Sequence, residues 1–181
     1  MRALAIAAAA MLVAFPASAQ RTAVSAGLSP EMAGEIFGKA VIEACVPAVA
    51  GNGVSGLAAA RDGGVTPTQD AEMRRQAGAA AGETVWEVTE ARGVVTVREA
   101  AGRCTVSVYG PAAAPVILQV GAMLETSHGF ERLASTQGLG LSLMRSEGGK
   151  RVMVKLAGAE PGAPGHESRF SVITATVFVA Q

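Results

Sequence analysis

The 181-residue chain is short of the residue types from which most active centres are built. It has two histidines and two cysteines, Cys45 and Cys104. A tetrahedral zinc site draws its ligands from Cys, His and carboxylates at close spacing, and no such spacing occurs. Redox dithiols usually sit two residues apart, and these cysteines do not. Aromatic residues make up 4% of the chain, with a single tryptophan, Trp86. Charge of one sign is missing as well: 15 basic residues face 15 acidic ones. A chain with no net positive charge lacks the electrostatic footprint of a nucleic-acid binder and the polybasic patch that holds anionic lipid. Outside the N-terminus no long apolar run exists, so no other segment would insert stably in a membrane.

What is present begins at the first residue. Met1-Arg2 is a minimal positive start, and Ala3 to Phe15 follow without a charge. Pro16 breaks the run, and Ala17-Ser18-Ala19 is the small-x-small site a signal peptidase needs. The apolar stretch is about 13 residues, too short for a span of roughly 20. Residues 1–19 thus read as a signal peptide, with cleavage between Ala19 and Gln20. No cysteine lies at that site to carry a lipid. The expected address is the periplasm or beyond. The remaining chain, 20–181, has the length of one domain, with 20–28 as a flexible N-terminus. Export puts Cys45 and Cys104 in an oxidising compartment, where a lone pair of cysteines bonds. The closed loop of about 60 residues is worth roughly 4 kcal/mol in the chain-entropy description.

Periodicity supplies the elements. Ser29-Pro30-Glu31 is a helix start, with a capping serine, a proline in the first turn and an acid at the positive end of the dipole. Ile36, Phe37, Ala40, Val41 and Ala44 recur at helical spacing, and Pro47 is expected to end that helix. Residues 48–65 read as a glycine-rich loop with a short helical piece near 57–61. Thr66-Pro67-Thr68-Gln69 has capping-box spacing and predicts a second helix running to about Ala80. From Glu83 the period becomes two, giving strands over 84–89, 94–98 and 103–109 joined by short turns. Gly110-Pro111 opens a third helix with a stripe of Val116, Ile117, Val120 and Leu124, capped by Gly129. Further strands are expected over 130–134, 139–144, 151–156 and 169–179, with a loop over 157–168. The last strand is apolar on both faces in places, which suits a central position. The pattern predicts an α+β fold: an antiparallel sheet of about six to seven strands with about three helices packed on one face.

Candidate motifs are few. Gly51-Asn52-Gly53-Val54-Ser55-Gly56 spells G-x-G-x-x-G, but it follows a helix where a dinucleotide site needs a strand. No cofactor is expected. His128, beside Ser127, is the candidate base of a hydrolase-like enzyme, yet no G-x-S-x-G surrounds any serine. His166-Glu167 falls in a Pro/Gly-rich loop. Glu83, Glu87 and Glu90 could supply an acid and a base, or simply decorate a solvent face. Trp86 shares strand parity with Val88 and Thr84, so its ring is expected in the core. No catalytic or metal-binding set emerges. The reading that remains is an exported, non-catalytic module that binds an envelope protein or a small ligand. The alternatives are a hydrolase using His128 and a redox or metal role for the cysteine pair.

Trp86-Glu87-Val88, Gly93-Val94-Val95-Thr96-Val97 and Gly102-Arg103-Cys104-Thr105-Val106 together resemble small secreted one-disulfide proteins of alphaproteobacteria, over residues 30–130. Those proteins have a signal peptide, an early helical cysteine and a later Gly-Arg-Cys strand. The resemblance implies pairing of Cys45 with Cys104 and implies no activity and no catalytic residues.

Overall fold

A computed structural model describes residues 28–52, 64–100, 102–133, 140–164 and 170–180. The signal-peptide segment with Ala19 and Gln20, most of the glycine motif, the expected helical piece at 57–61 and His166-Glu167 lie outside the described residues.

Helix α1 opens as its sequence dictates. Over Pro30–Lys39 it is an α-helix, with Ser29 in extended conformation and its Oγ accepting from the Met32 N–H at 3.2 Å. Proline fits the first turn because its missing N–H would have had no helical partner. The helix then widens into π-turns over Ala40–Cys45 and Ala48–Asn52, and it passes Pro47 where an end was expected. In an α-helix the Pro47 ring would strike the carbonyl four residues back. A π-turn, in which the Val46 N–H bonds the Val41 carbonyl five residues back, relaxes that constraint just before the proline. Gly51, at φ 140°, is where the helical conformation gives way.

One antiparallel sheet holds the eight strands of the described residues: β1 (Val65–Pro67), β2 (Val85–Val88), β3 (Val95–Ala100), β4 (Arg103–Gly110), β5 (Glu131–Arg132), β6 (Gly140–Glu147), β7 (Lys150–Ala159) and β8 (Ser171–Val179). Their order is β1-β2-β3-β4-β8-β7-β6-β5, two four-stranded meanders meeting where β4 pairs with β8. The fold is α+β. The strand beyond the expected number is β1, which takes Thr66 and Pro67 out of the anticipated capping box. Proline is tolerated there because β1 is an edge. The cap of the second helix, α2 (Ala71–Gln76), passes to Asp70, whose Oδ1 accepts from the Met73 N–H at 2.9 Å. β7 also runs three residues into the expected loop, to Ala159.

Helix α3 (Ala113–His128) links the meanders and ends on Gly129 in the left-handed region (φ 64°, ψ 29°), as the sequence indicated. α1 and α3 bury Ile36, Phe37, Val41, Val116, Val120 and Leu124 against the inward residues of the sheet, among them Val97, Val106, Val154, Ile173 and Val177. Gly158 of β7 allows α3 to sit close: a Cβ there would come within 2.6 Å of the Ala113 Cβ and 2.9 Å of the Ile117 Cδ1. The short α2 lies at the β1–β2 end. Its following turn meets the side of the sheet to which Arg98 points, where Arg98 Nη1 donates to the Gly78 carbonyl. Met73 and Val85 are buried there, apart from the main core cluster.

Candidate functional site

The cysteines settle first. Cys45, at the end of a π-turn, and Cys104, second in β4, form a disulfide across a Cα–Cα distance of 5.2 Å. Both are fully buried, and no free cysteine exists. A buried, oxidised pair offers neither a thiolate nucleophile nor a metal ligand. Among the described residues no group of three or more His, Cys, Asp or Glu is gathered to hold a metal.

His128 is the last residue of α3. Its carbonyl accepts from Arg145 Nη1 at 2.8 Å, and the Arg145 guanidinium lies 4.7 Å from the centre of the Phe130 ring. The His128 imidazole hydrogen-bonds to no described residue. The neighbouring Ser127 Oγ is 3.5 Å from Thr126 Oγ1, whose own proton goes to the Ala122 carbonyl. The three candidate glutamates are also dispersed. Glu83 Oε2 accepts from the Ala80 N–H at 2.8 Å and from Arg98 Nη1 at 3.3 Å. Glu87 lies on the opposite side of β2 from Trp86, and Glu90 pairs with Lys39 at 3.8 Å. Gly51 and Asn52 end a helix, as the sequence order required, so the glycine motif has no preceding strand.

A hollow does form, on the face carrying α1 and beside its sheet end. Trp86 of β2, Thr84 just before it, and Glu99 and Ala100 at the end of β3 make its floor, and Ala81, Gly82 and Glu83 make its rim. The pairing of Trp86 with Val97 places Thr84 opposite Glu99 in the same register, with Glu99 in turn opposite Cys104. The hollow is open to solvent and holds about 590 Å³. Trp86 is 9% exposed, and its Nε1–H is buried without a hydrogen-bond partner among the described residues. Glu83 and Glu99 are the charged residues of the wall. The site therefore combines an indole, a hydroxyl and two carboxylates. Among the described residues that line it there is no nucleophile–base pair of the acyl-transfer kind. Parity alone placed the Trp86 ring inward; that its edge would border a hollow depended on where the 81–83 turn went.

Glu160 is a polar anchor that the sequence pattern did not single out. Its Oε1 accepts from the Ala113 N–H at 2.7 Å, and its Oε2 accepts from Ser171 Oγ. It caps α3 from 47 residues away. The signal for it was negative: Ala112 stands at the N-cap, where no local side chain can do the work.

The chain matches no protein-family model, no curated protein and no solved structure. Among the described residues no helix is long and apolar enough to cross a membrane.

Proposed function

We propose that the protein is an exported, disulfide-stapled binding module without catalytic activity, acting in the periplasm or outside the cell, with the hollow at Trp86 as its small-ligand site. The observation that carries this reading is the hollow itself: a concave site with convergent polar groups and the chain's one tryptophan. Export is supported by the N-terminal pattern and by the disulfide, a bond that persists in oxidising compartments. The Glu99 carboxylate in the wall favours a ligand bearing a positive or hydrogen-donating group, while the Glu83 carboxylate is already paired with Arg98.

Trp86 makes the test direct, because it is the only source of indole fluorescence. Protein purified with its disulfide intact is titrated with a panel of small amines, amides and sugars while its emission is followed. A ligand of this site shifts the emission with a saturable dependence, and Glu99→Gln weakens it about tenfold, or 1.4 kcal/mol. Silence across the panel, with native mass spectrometry showing no retained small molecule, counts against the hollow. A reproducible turnover counts against the non-catalytic reading. Mass spectrometry of the exported protein should place its first residue at Gln20.

A further inference from the structure

We propose that the face of the sheet turned away from α1 and α3 binds an acidic polysaccharide, a chain of uronate sugars laid along β8. β8 is a central strand, between β4 and β7. Its inward residues Ile173, Ala175 and Val177 are in the core, so Val172, Thr174, Thr176 and Phe178 point the other way. These four outward residues are each only half-buried.

Charge is sorted on this face. Arg103 of β4 lies opposite Phe178, and Lys155 of β7 lies opposite Thr176, one step along. The two cations thus flank the Phe178 ring, with Lys155 Nζ 5.5 Å from its centre. Both are exposed, and neither has a carboxylate partner among the described residues. Arg151 follows on the same side of β7. The acids of this face stand at its margins, Glu87 on β2 and Glu131 on β5, while the outward positions of β4, β8, β7 and β6 between them carry no Asp or Glu. In a chain with equal numbers of acids and bases, that segregation selects an anionic partner.

The rest of the face selects its kind. Beside the cations the registers Thr105↔Thr176 and Ser107↔Thr174 form a row in which the three threonines are half-buried and offer their hydroxyls, while Ser107 between them is buried. Beyond the row Tyr109 pairs with Val172, and Phe170, 41% exposed, precedes the strand. Rings therefore stand at both ends of a track of about 26 Å, eight residues at roughly 3.3 Å each. A sugar ring offers an apolar face to an aromatic ring, hydroxyls to threonines and, in a uronate, a carboxylate to Arg or Lys. A protein partner would more typically seat aromatic or arginine anchors in desolvated pockets, whereas Lys155 and Arg103 here are exposed beside a row of threonines. Three cations are few for a nucleic acid.

The test uses the disulfide-intact protein with alginate, neutral dextran and poly-L-glutamate as probes, read by calorimetry and affinity electrophoresis. Alginate should bind and dextran should not. Arg103→Glu with Lys155→Glu should weaken alginate at least tenfold, while circular dichroism and melting stay unchanged because both side chains are exposed. Thr176→Val, which removes a hydroxyl and no charge, should weaken alginate several-fold and leave poly-L-glutamate untouched. Equal binding of alginate and dextran, indifference to the double reversal, or poly-L-glutamate binding as tightly as alginate would each overturn the proposal. Trp86 faces the other side of the sheet, so its emission reports the hollow separately: alginate bound with a silent tryptophan supports this face alone, and the small-molecule panel decides the hollow on its own.

Discussion

Ser29 and Glu160 cap two helices in opposite ways. Ser29 works within one turn, so Ser29→Ala should cost about 1 kcal/mol in urea denaturation. The neighbouring Glu31 carboxyl is held below the usual glutamate range, first by a hydrogen bond from its own backbone N–H and then by the Ser29 side chain. A lowered folded-state value stabilises above the unfolded value and loses that effect as pH falls through the folded one. The contribution is therefore intact at neutral pH and fades only below about pH 4.3. Glu160→Ala should cost about 1–2 kcal/mol, because it strands the Ala113 N–H and the Ser171 hydroxyl together. The restoring check is Ala112→Asp in the Glu160→Ala background, which supplies a local cap and should recover part of the loss. The first cap was legible in Ser29-Pro30-Glu31. The second was not, since no sequence pattern joins residues 47 positions apart.

Elements were legible in proportion to their length and regularity. β3 and β4 carry clear period-two alternation and fall where the sequence put them. β1 has three residues, too few to show a period, and its Thr66-Pro67 imitates a helix start. The π-turns of α1 were hidden for another reason: the sequence shows Pro47, but not the shift in register that lets the helix pass it. The contact of α3 with β7 offers a sharp test. Gly158→Ala places a methyl against Ala113 and Ile117 on the buried side of a helix, where neither can retreat. The expected cost is about 1–3 kcal/mol, seen as a lower urea midpoint at unchanged slope. Gly82→Ala, with open space around its Cβ but φ at 84°, probes backbone conformation without crowding and separates the two causes.

At the scale of the molecule, the disulfide ties the N-terminal helix to the middle of the sheet. Replacing both cysteines by alanine should cost about 4 kcal/mol by the loop-entropy argument, with a matching fall in the urea midpoint. The order of strands was the least legible feature, although the two-sided apolar character of residues 171–179 did indicate a strand with neighbours on both sides. The placement of β8 governs when the chain can fold. β8, the last strand of the described residues, fills the middle of the sheet, so the boundary between the meanders forms only when it pairs with both β4 and β7. A protein truncated before Ser171 should show no cooperative melting. Residues 171–179 are thus a keystone: remove them and each half-sheet is left with a bare edge, β4 on one side and β7 on the other, the template on which a second chain can add a strand.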